Sequence, residues 1–79
     1  MKYWAVLEHA EDDTWSAFVP DLPGCVATGA TIEEARELIT QAVALQIESL
    51  VAHGESVPPP LAQAFELRAA ESPASRTLA

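Results

Sequence analysis

The seven residues 19–25, which read Val-Pro-Asp-Leu-Pro-Gly-Cys, restrict the folding of this chain more than any other stretch. Pro20 and Pro23 fix φ near about −65° and have no amide hydrogen to donate to a sheet, and Gly24 can adopt a positive φ. These properties predict a rigid corner. Because a β-prone run precedes it and a short run of small residues follows it, we expect the corner to join two strands.

The segments around the corner predict a three-stranded antiparallel meander. Residues 2–9 form the first expected strand, an acidic turn follows at 10–14, and residues 25–29 form the third. In the second strand, Trp15, Ala17 and Val19 alternate with Ser16 and Phe18, so the two sets lie on opposite faces. Trp4 and Trp15 are expected near one another across the hairpin. A sheet this small has one face to bury, and the following helix is the expected cover.

The helix is predicted over residues 31–53. Thr31 and Glu34 have the spacing of a capping box, in which each side chain accepts a hydrogen bond from an otherwise unpaired amide. His53, expected to contact the last carbonyls, and Gly54 suit the C-terminal end. An apolar stripe follows the helical period and is listed here: Ile32, Ala35, Leu38, Ile39, Ala42, Val43, Gln46 and Leu50.

Three further apolar residues of the helix, Leu45, Ile47 and Val51, fall toward the flanks of this stripe or beyond it. A small isolated domain would leave them exposed to water. Either the segment after the helix folds back over them or a second subunit covers them. We therefore predict that they form the interface of a homo-oligomer, a dimer or a tetramer.

The C-terminal part divides into a connector, an ambiguous segment and a tail. Residues 55–60 end in three prolines and cannot be helical, so they predict a stiff extended connector. Residues 61–70 have the composition of a helix and the alternation of a strand. Residues 71–79 have little to bury and are expected to be a disordered tail, so that the domain covers residues 1–70.

Composition narrows the functional classes. The chain has 79 residues, a formal net charge of −8 and one cysteine, Cys25, which excludes an internal disulfide. Its four basic residues are scattered, so direct binding to nucleic acid is not expected, whereas an acidic surface favours a basic protein partner. No cofactor, metal site or membrane span is predicted, and without a signal-peptide pattern the expected location is the cytoplasm.

A family resemblance rests on two runs of residues. They are Val19-Pro20-Asp21-Leu22-Pro23-Gly24-Cys25 and Thr28-Gly29-Ala30-Thr31-Ile32-Glu33-Glu34-Ala35. This pattern resembles the HicB-like family, antitoxins of bacterial and archaeal toxin–antitoxin pairs, which usually has aspartate where Ala30 stands. The resemblance implies an α+β fold of β-β-β-α-β order, likened to a partial ribonuclease H fold, with residues 61–70 as the fourth strand.

The resemblance also implies a partner and a mode of action. The partner is a HicA-like toxin, an mRNA interferase that the antitoxin inhibits by occluding its active surface, and no catalysis is required of this chain. We predict the toxin contacts on the sheet and corner, at Trp15, Phe18, Asp21, Leu22 and Pro23. Many HicB antitoxins carry a C-terminal DNA-binding region, whereas only a short tail follows residue 70 here. We therefore expect a minimal form without autorepression.

Two other functions stay open. A stand-alone oligomer with a structural or ligand-binding role would use the same fold without a toxin. A metal-dependent nuclease would need several converging carboxylates, for which Glu8 and Asp21 are the strand-adjacent candidates, although Asp21 is equally suited to capping the amides of its own corner. Cys25 has no obvious base beside it and is expected to be a small structural apolar residue.

Overall fold

The protein folds as a three-stranded antiparallel sheet covered by one long helix. The computed structural model describes residues 1–69, and the strands are β1 (Val6–His9), β2 (Trp15–Phe18) and β3 (Val26–Gly29), in spatial order β1-β2-β3. The helix α1 (Ile32–Ala52) lies mainly over β2 and β3. The meander and the helix predicted from the sequence are thus confirmed, with each strand shorter than predicted.

The strand register separates an inner face of the sheet from an outer face. Leu7, Ala17 and Ala27 stand opposite one another and point toward the helix, where Ala17 is buried and the other two are half-buried. The next positions along the strands therefore point away from the helix. Trp15 pairs with His9, whereas Trp4 precedes β1 at the other end of the sheet, so the expected proximity of the two tryptophans is wrong.

The helix begins and ends as the residue pattern predicts. The Glu34 amide donates to Thr31 Oγ1 at 3.1 Å, and the Ala30 amide donates to Glu34 Oε1 at 3.1 Å, one residue before the cap itself. At the other end, Gly54 has a φ of 68°, its amide donates to the Val51 carbonyl, and a ring nitrogen of His53 lies 2.7 Å from the Ser49 carbonyl. Both ends of the helix thus have partners for otherwise unpaired backbone groups.

The core lies between the sheet, the corner and the first half of the helix. Its buried members are listed here: Ala17, Val19, Leu22, Cys25, Ala35 and Ile39. Gly29 allows the close approach of β3 to the helix, since a Cβ on it would lie 2.6 Å from the Ala35 nitrogen. Leu38 belongs to the predicted apolar stripe but does not lie in the core, since 37% of it is exposed.

The segment after the helix does not extend the sheet of the single chain. Residues 61–69 have no regular secondary structure, and residue 70 lies outside the described residues. The fourth strand and the likeness to a ribonuclease H fold are therefore not part of the observed architecture. The predicted tail, 71–79, also lies outside the described residues.

Candidate binding surfaces

The corner between β2 and β3 is held by its own backbone. The Leu22 amide donates to the Val19 carbonyl and the Cys25 amide donates to the Leu22 carbonyl, both at 3.1 Å. Gly24 takes a φ of 81°, a conformation that a side chain would strain. The prolines, the glycine and these two hydrogen bonds together give the rigid change of direction that the sequence predicts.

Leu22, at the centre of the corner, is a core residue. Its exposed fraction is 0%, and it is the largest side chain of the described chain to be fully buried. The interpretation of Leu22 as a partner contact is therefore corrected, because a side chain with no exposed surface cannot meet a partner. Cys25 is buried beside it in the same cluster, where burial raises the pKa of the thiol. A buried thiol held protonated is a poor nucleophile.

Asp21 binds the segment that follows the connector rather than its own corner. Its Oδ2 accepts a hydrogen bond from the Ala62 amide at 2.9 Å. Among the described residues no amide of the corner donates to Asp21, so the alternative in which it caps its own corner is not the one observed. Four residues before Ala62, the Pro58 carbonyl accepts a hydrogen bond from the Tyr3 hydroxyl. These two contacts hold residues 58–62 across the open end of the hairpin.

The outer face of the sheet carries an apolar patch, which we call the outer patch. It consists of Trp4, Val6, Phe18 and Val26, whose exposed fractions include 53% for Trp4 and 67% for Val26. Of the predicted toxin contacts only Phe18 lies here. Trp15 lies on the inner face of the sheet and stacks on the His9 ring with a centroid separation of 4.5 Å. Asp21 and Pro23 lie at the corner. The five predicted residues thus do not form one surface.

The end of the molecule that lies opposite the corner is acidic, and we call it the acidic end. The register brings the β1–β2 turn beside the end of β3, from which the helix starts. Seven of the twelve carboxylates of the chain fall within residues 8–13 and 33–37, and all seven are exposed: Glu8, Glu11, Asp12, Asp13, Glu33, Glu34 and Glu37.

The turn at this end is stabilised by its own side chains. Asp12 Oδ1 accepts hydrogen bonds from the Thr14 hydroxyl at 2.6 Å and the Thr14 amide at 3.1 Å, and these lower the pKa of the Asp12 carboxyl. Asp13 has a positive φ of 69° and its Oδ1 lies 2.7 Å from His9 Nε2. The carboxylates of the turn are therefore presented to solvent on a fixed loop.

The helix presents its three flank residues in different directions. A helix turns by about 100° per residue, which places Ile47 and Val51 about 40° apart and Leu45 about 160° from Ile47. Leu45 and Val51 are 67% and 65% exposed, whereas Ile47 is half-buried. A single flat interface therefore cannot use all three equally.

The described residues offer little to a small ligand. No pocket is found in residues 1–69, and within this range no three His, Cys, Asp or Glu side chains lie where they could hold one metal ion. None of the helices in the same range is long and apolar enough to cross a membrane.

Sequence reasoning missed two features of the surface. The acidic end depends on the order of the strands, which brings together two acidic segments some twenty residues apart. The sequence indicates each segment separately, as the acidic turn and as the run of Glu at the helix start, but not that they lie side by side. The outer patch depends on the register, which sets Val6, Phe18 and Val26 side by side.

Comparison with known proteins places the chain in a family. The model of the HicB-like antitoxins of bacterial toxin–antitoxin systems matches residues 3–73. The chain is 46% identical to the UPF0150 protein ssr1765 of Synechocystis over 56 residues, which are 71% of each protein. It is 41% identical to the UPF0150 protein Ta0767 of Thermoplasma acidophilum over 58 residues, 73% of this chain and 84% of the relative. No solved structure matches the chain significantly. Because the family model covers nearly all of the described residues and both relatives are more than 40% identical over more than two thirds of the chain, this chain belongs to the HicB-like antitoxin family.

Proposed function

We propose that this chain sequesters a small basic toxin, a HicA-like mRNA interferase, by covering the surface with which the toxin acts on RNA. Membership of the antitoxin family supports a toxin partner in general. The observation that carries the specific proposal is that one molecule presents both the acidic end and the outer patch, in which Trp4, Val6 and Val26 are exposed and Phe18 is half-buried. In this proposal the chain works by binding alone, in the cytoplasm, without a cofactor.

The two surfaces have different tasks in the proposed complex. An RNA-binding protein needs a positive surface, and the seven carboxylates of the acidic end complement such a surface, so they speed the encounter and select the partner. The outer patch supplies apolar area that becomes buried on binding, with Phe18 between Val6 and Val26. Asp21 and Pro23 at the corner extend the proposed contact beyond the patch.

The proposal is tested by co-expressing the chain with the short basic protein encoded beside it. We expect the two proteins to co-purify and the growth arrest caused by the basic protein to be relieved. If such a neighbour exists and neither result is obtained, the proposal is wrong and the alternative, an oligomer of this family without a toxin, is favoured.

Charge-reversal variants test whether the carboxylates of the acidic end, rather than the net negative charge of the whole chain, attract the toxin. The double variant Glu11→Lys with Glu37→Lys should lower the association rate at least about tenfold at low salt, and the loss should shrink as salt rises. The matched control, Glu48→Lys with Glu55→Lys, changes the net charge equally at exposed positions away from the acidic end. Equal losses in the two variants would show that the toxin does not dock at the acidic end.

A further inference from the structure

A row of three polar side chains, which we call the polar row, crosses the outer face of the sheet beside the outer patch. The register aligns Glu8, Ser16 and Thr28, one from each strand, on the face that carries the patch. Glu8 and Thr28 are exposed and Ser16 is half-buried. Among the described residues, none of these three side chains forms a hydrogen bond or an ion pair. One carboxylate and two hydroxyls therefore stand side by side, with their bonding capacity left for a partner.

The hydrogen bonds of the sheet set the spacing within the polar row. Glu8 and Ser16 form a hydrogen-bonded pair of the antiparallel ladder, with Cα atoms about 5.5 Å apart. Ser16 and Thr28 form a non-hydrogen-bonded pair, with Cα atoms about 4.5 Å apart. The acceptors of the row therefore extend over about 10 Å on a rigid surface, with the charged group at one end.

Glu8 lies where the two surfaces of the proposed complex meet. It is one of the seven carboxylates of the acidic end, and it also follows Val6 of the outer patch on the same face of β1. A partner that buries the outer patch must therefore remove water from Glu8 as well. Such desolvation is costly unless a cation of the partner pairs with the carboxylate.

The polar row suits an arginine of the partner better than a lysine. A guanidinium is planar and has five N–H donors, so two can meet the Glu8 carboxylate in parallel while another donates to the Ser16 hydroxyl. A lysine ammonium is a compact point charge without this fork. The apolar stem of an arginine also has a surface to cover, because Phe18 lies next to Ser16 along the same face of β2.

We infer that Glu8, Ser16 and Thr28 form the binding site for one arginine side chain of the basic toxin, with its guanidinium on Glu8 and its stem on the outer patch. The inference rests on the proposed function, since it names a contact within the proposed complex. Proteins hold RNA phosphates with arginine through the same paired hydrogen bonds that a carboxylate accepts. Glu8 therefore takes the position of a phosphate, and the contact fixes the orientation of the toxin on the sheet.

The first test measures binding to the short basic protein encoded beside this chain. Glu8→Gln keeps the shape of the side chain and removes its charge, so the Kd should rise at least about thirtyfold, mainly through faster dissociation. Thr28→Val is nearly isosteric and suits a strand, and it should raise the Kd about three- to tenfold. The matched control, Glu48→Gln, removes one charge at an exposed position of the helix and should change the Kd less than about twofold. Circular dichroism should be unchanged in all three variants, because the replaced side chains are exposed.

Two negative results of this test have different meanings. If the unmodified chain forms no complex with the basic protein, the proposed function fails and the arginine site fails with it. If the unmodified chain binds but Glu8→Gln costs no more than Glu48→Gln, the proposed function stands and the arginine site is overturned.

The second test identifies the partner of Glu8 by a double-mutant cycle. The arginines of the basic protein are replaced one at a time with lysine, which keeps the charge but loses the planar fork. One replacement should weaken binding to the unmodified chain at least about tenfold, yet weaken binding to the Glu8→Gln variant less than about twofold. If every replacement acts equally on the two chains, no arginine pairs with Glu8 and the inference is wrong.

Discussion

Replacing Leu22 with alanine tests whether the corner is part of the core or a binding surface. The side chain is the largest of those that are fully buried, so its removal loses transfer free energy and leaves a cavity. Such changes cost about 2–5 kcal/mol in well-packed cores. A domain of this size has a total stability of about 4–10 kcal/mol. Leu22→Ala should therefore remove a large part of it.

The assay is urea unfolding followed by circular dichroism at one fixed, low protein concentration, because association adds to apparent stability. With a slope of about 1 kcal/mol per molar urea, the midpoint should fall by about 2 M or more. Leu22→Met keeps most of the volume and should cost less than about 1.5 kcal/mol, so it remains measurable if the alanine variant does not fold.

The control is Leu45→Ala, which makes the same chemical change at a side chain that is 67% exposed. Its cost should be about 1 kcal/mol or less, since only a third of the side chain is withdrawn from water. If Leu22→Ala cost no more than Leu45→Ala, the reasoning that places the corner in the core would be refuted. A loss of toxin binding at full stability would restore Leu22 as a contact.

Three further substitutions test other parts of the fold. Gly29→Ala should destabilise the protein by about 1–3 kcal/mol, because its Cβ would press on the Ala35 backbone nitrogen at 2.6 Å; unchanged thermal unfolding would show that the strand and helix can separate freely. Thr31→Ala should cost about 1 kcal/mol by removing the acceptor of the Glu34 amide, with Thr31→Ser retaining stability as its control. Cys25 should resist alkylation in the folded state. Because its folded-state pKa is raised above the ordinary 9.0, the thiol contributes stability that is complete below that pH and declines as pH rises through the folded-state value. A Cys25→Ala variant should lack this alkaline decline, and an identical pH profile would contradict the assignment.

Local chemistry made the helix and the corner predictable. Thr31 and Glu34 satisfy amides within one turn of themselves, and Gly24 takes the positive φ that its position requires. Interactions of this kind are settled by residues close in sequence, so the chain need not be folded for them to be inferred. The same holds for His53, whose ring nitrogen meets a carbonyl four residues earlier.

Long-range partners were not predictable in the same way. For Asp21 the sequence suits capping of its own corner as one alternative, yet its carboxylate accepts a hydrogen bond from an amide 41 residues later. Leu22 is predicted from the sequence as a partner contact at the corner, whereas in the fold its side chain is fully buried against residues of the sheet and the helix. The tryptophans were misplaced for a related reason: the sequence indicates a hairpin, but only the register decides that Trp15 meets His9.

The corner connects the core, the helix and the segment that follows the helix. Leu22 enters the core, the Pro23 carbonyl accepts a hydrogen bond from Gln46 Nε2 of the helix at 3.3 Å, and Asp21 accepts a hydrogen bond from the Ala62 amide. A change in the corner therefore acts on all three. Asp21 is the residue at which these effects can be separated, because its side chain is outside the core and its described hydrogen bond is with Ala62 alone. A substitution of Asp21 therefore bears on the position of residues 58–62 and leaves the packing of Leu22 in the core in place.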